Sequence, residues 1–220
     1  YWLNQTETND NLGVGTYMEH ARNYLTSNVT SFKLMLNHRM KAHHIQAAIT
    51  YKFEHINEKS KEYEMRDSSG YSLPHSSDAL NLIYTMSSNN TLDSKRFESY
   101  IQDTYKFKNG ETFYTLNYGV RFSHWDFNKE NLFSPRISLG IIPAFNQNFT
   151  FRFATGLYYQ TPFYKELRDT TTINGVTYAS LNKNIKSQRS IHFLAAMDYK
   201  FKVNNRPYKF TAEAYYKALS

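Results

Sequence analysis

The chain has 220 residues and no cysteine, and its 26 Lys and Arg against 19 Asp and Glu give a formal net charge of +7. The absence of cysteine excludes disulfide frameworks, thiolate metal sites and thiol nucleophiles. The basic residues form no cluster of the kind that binds nucleic acid, so we expect no nucleic-acid partner. Aromatic residues make up 17% of the sequence, with only 5 Pro and 8 Gly, and this composition favours β-strands.

Hydropathy argues against helices that cross a membrane but leaves a transmembrane barrel open. No stretch approaches the roughly 18 consecutive apolar residues that a spanning helix needs. The mean hydropathy of the chain is −0.66, which is low for a protein with such helices. In a transmembrane β-barrel only alternate side chains of a strand face lipid, so polar residues between them lower the average.

Alternating side chains predict two strands in the first quarter of the chain. Phe32, Leu34 and Leu36 form the apolar row of the first strand, opposite Lys33, Met35 and Asn37. The apolar row of the second strand comprises Ile45, Ala47, Ile49, Tyr51 and Phe53. Residues 1–24 read as the remains of an earlier strand and a loop, and we expect any signal peptide to lie outside this chain.

A long polar connection is predicted from Asn57 to Ser94. A mixed run of charges, Glu54, Glu58, Glu62 and Glu64 with Lys52, Lys59 and Lys61, begins at the end of the second strand, and we interpret it as part of a solvated loop. The next strand is predicted over Arg96 to Phe107. Its apolar row also carries Asp103. We expect this carboxylate to lie near a membrane interface, where a charge on the lipid face costs less free energy than at the centre of the bilayer.

The clearest strands come in the second half of the chain. Over Thr112 to Phe122 one row carries Tyr114, Leu116, Tyr118, Val120 and Phe122, and the other carries Phe113, Thr115, Asn117, Gly119 and Arg121. Similar apolar rows start at Phe149, Ile191 and Tyr208. Successive side chains of a strand point to opposite faces, so each row predicts one apolar face and one polar face.

Short and long connections take turns along the chain. The short ones are His38 to Lys41, Asn109-Gly110, Phe145 to Asn148 and Asn204 to Arg206; the long ones are Asn57 to Ser94, Trp125 to Phe133 and Thr161 to Gln188. This order is typical of an up-and-down barrel with short periplasmic turns and long outer loops. The strands of a soluble β-sandwich also alternate between apolar and polar residues, but they are shorter, and the apolar face is not aromatic on every strand.

The fold class predicted from these patterns is all-β, an antiparallel up-and-down transmembrane β-barrel. Residues 1–220 are expected to be a partial barrel domain of about 8–10 strands. An open sheet is untenable in lipid, because every backbone amide and carbonyl must be paired there, so we expect the sheet to continue in a longer protein.

Several segments resemble the barrel of TonB-dependent outer-membrane receptors. They are Tyr100 to Tyr105, Gly119 to Phe122 with Trp125, Ser134 to Leu139 and Phe151 to Arg168. Gln188 to Phe193 and Arg206 to Lys217 resemble the subgroup that carries a carboxypeptidase-regulatory-like domain before its plug.

The resemblance implies more than the patterns themselves show. It implies a C-terminal-side fragment of a barrel of about 22 strands with a plugged lumen, in the cell outer membrane. It implies energised uptake of an unidentified small molecule, glycan or peptide, and as partners outer-membrane lipid, lipopolysaccharide and the inner-membrane TonB complex. The plug domain, the signal peptide and the final strands are expected outside these residues.

Two other classes of protein are alternatives to a transporter. A complete small barrel, or an adhesin that binds ligands through its loops, would pair its first strand with its last. An enzyme is not expected, because no nucleophile, metal site or phosphate loop stands out, and no cofactor is expected. His38, His43 and His44 are close in sequence, but strand alternation sends His43 and His44 to opposite faces, so we predict no metal site.

The candidate ligand-binding residues lie in the predicted lumen and at a predicted strand end. Polar-row positions predict a lumen lined by Arg121, Arg152, Lys200, Lys202 and Glu213. Beyond a strand end, aromatic and charged residues would meet ligand at the mouth: Tyr159, Phe163, Tyr164, Lys165, Glu166 and Arg168. The alternative for the aromatic members is the girdle of rings that barrels place at the membrane interface.

Overall fold

A computed structural model describes residues 16–67 and 81–220 of the chain. It contains ten strands and a short 3-10 helix at Tyr164–Leu167. The strands are β1 Thr16–Met40, β2 His43–Asp67, β3 Asn81–Asn109, β4 Thr112–Trp125, β5 Glu130–Ile142, β6 Phe149–Gln160, β7 Arg168–Ile173, β8 Val176–Leu181, β9 Gln188–Val203 and β10 Arg206–Leu219. Two compact units are distinguished by their internal contacts.

The larger unit comprises Val29–Glu54, Asp93–Glu166 and Lys183–Ser220. Its strands follow the order β1-β2-β3-β4-β5-β6-β9-β10, in which every pair except β6 and β9 joins strands that are consecutive along the chain. The pairs from β3 to β10 along this order are antiparallel. The all-β, antiparallel fold class predicted from the alternation is confirmed.

The register places the predicted apolar rows on one face of the larger unit. Val120 lies opposite Ile101 on β3 and Pro135 on β5. Phe153 lies opposite Leu139 on β5 and Ala195 on β9. Because side chains that face each other across antiparallel strands share a face, all these rows form one surface, which we call the apolar face. The opposite surface is the polar face.

Aromatic rings on the apolar face gather in two groups. Near the short turns, rings of adjacent strands stack in the pairs Phe107–Tyr114, Phe149–Tyr199 and Phe201–Tyr208. Nearer the other strand ends, Phe122 contacts Phe97 and Phe133. Between the groups the face combines aliphatic residues, such as Val120 and Leu139, with the rings of Tyr118 and Phe153. Barrels present an apolar band of this kind to lipid.

The turns show which connections the sequence predicted well. Asn109 and Thr112 are the last pair before a two-residue turn in which Gly110 has a φ of 58°. Asn204 and Asn205 have φ of 50° and 58°, a conformation that hairpin turns require and Asn tolerates. The short connection predicted at Asn204 is confirmed, and the one predicted at Asn109-Gly110 is found one residue further on, at Gly110-Glu111.

Of the predicted long connections, one is wrong in extent, and another has its predicted extent but contains strands that were not predicted. The loop expected over Trp125 to Phe133 is a four-residue turn, because β4 ends at Trp125 and β5 begins at Glu130. The connection expected from Thr161 to Gln188 contains the 3-10 helix and the hairpin of β7 and β8. This hairpin has a strong local signal that the interpretation of the segment as a loop missed, because Asn174-Gly175, with φ of 50° and 77°, is a typical two-residue hairpin turn and is flanked by β-branched residues.

The smaller unit holds the other ends of the first three strands together with Leu167–Asn182. The loop expected from Asn57 to Ser94 is wrong for its described residues, since β2 runs to Asp67 and β3 begins at Asn81. This part of β3 has no partner in β4, which leaves a free strand edge. The edge is used by β8, which pairs in parallel with Met86–Ser88 and breaks the otherwise antiparallel pattern.

Residues 16–67 and 81–220 include no helix that has both the length and the apolar character needed to cross a bilayer.

Candidate functional site

Hydrogen-bonded side chains cover much of the polar face of the larger unit. Thr104 donates to Asn117 at 2.6 Å, and Asn117 donates to Ser138 at 3.1 Å, so one polar chain crosses three strands. Gln102 donates to Gln46 at 2.6 Å on the same face. A surface that satisfies its polar groups in this way suits water or a polar partner.

A hollow of about 620 Å³ opens on this unit and exposes many of these polar-face residues. Its cationic side chains are Lys33 on β1, Arg121 on β4 and Arg136 on β5. Tyr100 and Tyr158 add aromatic rings, and the residues that line the hollow include no carboxylate. The hollow therefore combines positive charge with ring surface and hydrogen-bonding groups.

The three cations are not neutralised by neighbouring groups. Among residues 16–67 and 81–220, no ion pair involves Lys33, Arg121 or Arg136. Arg136 instead lies over the ring of Tyr158, with its guanidinium carbon 4.2 Å from the ring centroid. An arginine stacked in this way keeps its hydrogen-bond donors available for a ligand.

Gly156 makes room for the position of Arg136. A Cβ atom at Gly156 would lie 3.0 Å from Cγ of Arg136 and 3.1 Å from the ring of Tyr158. Arg136 faces Gly156 across the β5–β6 pair, and Tyr158 is two residues further along the same row of β6. The glycine thus lets the arginine cross the strand and reach the ring.

Arg152, predicted to line the lumen, is held in a network of charges on the polar face. Its Nη2 lies 3.3 Å from Asp198 Oδ1 and 3.1 Å from Glu213 Oε1. Lys209 and Thr211 also reach Asp198, at 3.1 Å and 2.8 Å. Because its charge is matched by two carboxylates, Arg152 resembles a structural cross-link between β6, β9 and β10 more than a free anion receptor.

The predicted mouth residues of the larger unit do not form one group. Tyr159 lies on the apolar face, opposite Arg189, where the girdle interpretation would place it. Phe163 is exposed, and its backbone N–H donates to Glu166 Oε2 at 2.8 Å while Glu166 N–H donates back to Phe163 O at 2.9 Å. The first bond is the side-chain half of a capping box, and the second is the i→i+3 backbone bond that starts the 3-10 helix. Lys165 is exposed and Tyr164 is half-buried in the same helix.

Arg168 belongs to the smaller unit, where it is paired. Its Nη1 lies 2.8 Å from Oε1 of Glu58. Glu58 is buried, and its other oxygen accepts from Ser88 at 3.3 Å. The interpretation of Glu58 as part of a solvated loop is therefore wrong, because this carboxylate anchors the start of β7 to β2 and β3.

Asp103, the carboxylate expected near a membrane interface, has partners on the apolar face. His43 Nδ1 lies 2.6 Å from Oδ2, Tyr118 Oη donates at 3.0 Å, and the backbone N–H of His44 donates to Oδ1 at 3.2 Å. His43 is the first residue of β2, so the carboxylate sits beside the end of that strand. No group of three or more His, Asp or Glu that could hold a metal ion occurs in the described parts of the chain.

A protein-family model named TonB dependent receptor-like, beta-barrel matches residues 1–220, the whole chain. The chain belongs to the TonB-dependent receptor barrel family. This confirms the resemblance drawn from the strand segments. It also agrees with the antiparallel sheet, long strands and aromatic rows of the larger unit. The subgroup resemblance of the last two segments stays a prediction.

The solved structures also include a similar protein. It is a mutant of the ferric enterobactin receptor of Pseudomonas aeruginosa, with a TM-score of 0.42 and 14% sequence identity. The match covers 80% of this TonB-dependent receptor chain and 26% of that receptor, so the chain spans about a quarter of its length. The search of curated proteins found no match.

The alternative of a small complete barrel required the first strand to pair with the last. Among the described residues β10 pairs with β9 alone, and β1 and β10 lie at opposite ends of the strand order. The pairing that this alternative predicts is thus not found there.

Two of the three cations of the hollow were missed as ligand-binding candidates. Arg121 was predicted, but Lys33 and Arg136 were not, although both occupy polar-row positions in predicted or family-like strands. The alternation predicts that each of them lies on the polar face, but it does not predict which of them lie close together.

Proposed function

We propose that this chain is part of the barrel wall of an outer-membrane receptor that takes up a ligand. Uptake would be driven by the inner-membrane TonB complex, acting on a plug domain encoded elsewhere in the full-length protein. Membership of the receptor family supports this proposal, as does the division of the sheet into an apolar and a polar face. Transport rather than catalysis is the function that these features favour.

The ligand that the polar face favours is anionic. The observation that supports this is the hollow of about 620 Å³ in which Lys33, Arg121 and Arg136 converge without a carboxylate. Cations that line a concave surface of low dielectric concentrate anions there, because field lines are focused into the cleft. Guanidinium groups match carboxylate and phosphate oxygens in two-point hydrogen bonds, and the neighbouring tyrosines offer ring surface to an organic part.

The test is anion binding by the purified full-length receptor in detergent, with citrate as the probe and the neutral sugar raffinose as comparison. We expect citrate to bind with an affinity that falls as salt is raised, because exposed charges are screened. The double substitution Arg121→Gln with Arg136→Gln should weaken citrate binding about tenfold or more, since hydrogen bonds to charged groups contribute about 1.5–3 kcal/mol each.

The matched control removes two other positive charges from the same face. Lys200 and Lys202 are not among the residues that line the hollow. The double substitution Lys200→Gln with Lys202→Gln should therefore leave the citrate affinity within about twofold of the wild-type value. Equal loss in both double variants would mean that only net charge matters, and retained affinity in the arginine variant would refute the assignment of the hollow. Uptake itself is tested separately, by comparing ligand accumulation in cells with and without TonB.

A further inference from the structure

The hairpin of β7 and β8 is joined to the rest of the smaller unit along one side. β8 pairs with residues 86–88 of β3, and β7 pairs with β8. Within residues 16–67 and 81–220, β7 pairs with no strand other than β8. The outer side of β7 is therefore a strand edge, which we call the β7 edge.

Contacts at its base hold the hairpin in place. Leu167, directly before β7, is fully buried. Arg168, the first residue of β7, has its Nη1 2.8 Å from Oε1 of Glu58 on β2. On β8, the carbonyl oxygen of Ala179 accepts a hydrogen bond of 3.1 Å from Nδ2 of Asn90 on β3. A strand that is already fixed loses little conformational entropy when it pairs with a partner.

The backbone bonds from β7 to β8 fall on odd-numbered residues of β7. The N–H of Asn182 donates to the carbonyl oxygen of Leu167 at 2.7 Å, just before β7 begins. Bonded and unbonded pairs alternate along an antiparallel ladder, so every second residue after Leu167 is bonded to β8. Ala179 lies opposite Thr170, and its carbonyl points to Asn90 on the other side of β8. Thr170 is thus an unbonded position, in agreement with the alternation.

The β7 edge therefore carries the backbone groups of Thr170 and Thr172. The N–H and C=O of one residue lie on the same side of a strand, so each of these residues directs one donor and one acceptor outward. A series of donors and acceptors that repeats every second residue matches the backbone of another extended polypeptide. The geometry of the edge thus favours a peptide as its partner.

The sequence of β7 has few features that would keep another strand away. Proteins commonly protect exposed edges with lysines, prolines or bulges. Residues 169–173 read Asp-Thr-Thr-Thr-Ile, and they pair with β8 in an unbroken register. All five are exposed, and threonine and isoleucine are among the residues that favour strands. The edge is accessible and is composed of residues that suit pairing.

Side chains beside the edge indicate what kind of peptide would fit. Asp169, Thr171 and Ile173 share one face of the hairpin, since they alternate along β7. Ile173 is 56% exposed, and Asp169 has no ion pair among residues 16–67 and 81–220. Directly opposite side chains of neighbouring strands contact each other. An apolar residue opposite Ile173 and a basic residue opposite Asp169 would complement this face.

A second copy of this chain suits the β7 edge less well than such a peptide. Antiparallel pairing of two edges about Thr171 would join Thr170 of one copy to Thr172 of the other. The same register would place Asp169 of each copy opposite Ile173 of the other. A carboxylate beside an apolar side chain gains no partner there, whereas a peptide with a basic residue at this position supplies one.

We propose that the β7 edge binds an extended peptide, which adds to the hairpin as an antiparallel strand. Thr170 and Thr172 hydrogen-bond the peptide backbone. Ile173 contacts an apolar side chain, and Asp169 pairs with a basic side chain four residues later in the peptide. The β7 edge belongs to the smaller unit and the cationic hollow to the larger unit, so either assignment can fail without the other.

The test uses the peptide fluorescein-Thr-Val-Thr-Val-Thr-Lys-amide, titrated into the full-length receptor in detergent and followed by fluorescence anisotropy. In the proposed register its third and fifth residues bond to Thr172 and Thr170. N-methylation of those two residues should weaken binding about tenfold or more, because two hydrogen bonds are lost. The matched control is N-methylation of the second and fourth residues. Their N–H groups point away from β7, so the affinity should stay within about threefold of that of the unmodified peptide.

Asp169→Lys tests the side-chain contact, and this exposed residue can be changed without disturbing the hairpin. The substitution should weaken binding of the lysine peptide about fivefold, since an exposed ion pair is replaced by repulsion. A peptide with glutamate in place of lysine should bind the variant more tightly than it binds wild type.

The two methylated peptides are compared on the wild-type receptor, so that result does not depend on the folding of a variant. The proposal is overturned if the unmodified peptide does not bind, if both methylated peptides bind equally, or if Asp169→Lys leaves the affinity unchanged. Receptor dimers that the peptide cannot dissociate and that Thr172→Pro abolishes would assign the edge to a second copy, and would also overturn it.

Discussion

Gly119→Ala is expected to destabilise the barrel by about 1–3 kcal/mol, the usual cost of forcing an extra group into a packed site. A Cβ atom at this position would lie 2.6 Å from Cβ of Gln102 and 2.6 Å from the carbonyl oxygen of Ile101. Gln102 is the partner of Gly119 across the β3–β4 pair. Opposite Cβ atoms are ordinarily about 4.5–5.5 Å apart, so these two backbones are unusually close.

The measurement is the urea midpoint for folding of the full-length receptor in detergent micelles. The folded fraction at each urea concentration is read from the difference in gel mobility between folded and heat-denatured protein. Gly140→Ala is the matched control on the neighbouring strand, because the nearest atoms to its added methyl group would be 3.8 Å away. We expect the urea midpoint to fall for Gly119→Ala and to stay near wild type for Gly140→Ala. Equal midpoints for the two variants would show that the close approach at Gly119 does not exist.

Trp125→Ala is expected to have the larger effect, a loss of about 3–5 kcal/mol, as for other buried large aromatic residues. Only 1% of the Trp125 surface is exposed, and the guanidinium carbon of Arg96 lies 3.9 Å from its ring centroid. Arg96 is also paired with Glu54 at 3.0 Å and bonded to Thr161 at 2.7 Å. Removing the ring leaves a cavity and releases one face of this arginine.

The same refolding assay measures this prediction, with Phe145→Ala as the aromatic control. Phe145 is 77% exposed in the connection between β5 and β6, so its loss should change the urea midpoint little. If Trp125→Ala unfolds at the same urea concentration as Phe145→Ala, the ring of Trp125 is not packed in the folded receptor.

The rows of the later strands could be predicted because their chemistry alternates strongly. On β4, β6, β9 and β10, aromatic and aliphatic residues take every second position, and the observed register puts those positions on one face. The physical cause is the two-residue period of a strand combined with two different surroundings. Such a pattern depends only on neighbours in sequence, so sequence alone reveals it.

The outer parts of β1, β2 and β3 could not be predicted in the same way. There the alternation is between acidic and basic residues, as at Glu58 and Lys59, and not between apolar and polar ones. A search for apolar periodicity interprets such a segment as a loop. The partners that reveal a strand, Arg168 for Glu58 and Ala179 for Asn90, are about a hundred positions away in sequence.

The types of residue in the candidate site could be predicted from the sequence, but which of those residues come together in one hollow could not. Arg121 and Arg152 have equivalent polar-row positions, yet Arg152 is paired with Asp198 and Glu213 while Arg121 is unpaired among the described residues. Lys33 reaches the hollow from β1, far from Arg121 and Arg136 in sequence. Which cations are neutralised depends on strand register, and register is set by pairings across the whole sheet.

We expect the apolar face of the larger unit to contact lipid and its polar face not to contact lipid. The chain has no cysteine, so single cysteines for spin labels can be placed at neighbouring positions without background from this segment. Labels on Leu116→Cys and Leu139→Cys should be reached mainly by oxygen dissolved in the bilayer of reconstituted full-length receptor. Labels on Asn117→Cys and Ser138→Cys should be reached mainly by a water-soluble nickel complex, and accessibility that does not alternate between these neighbours would contradict the claim.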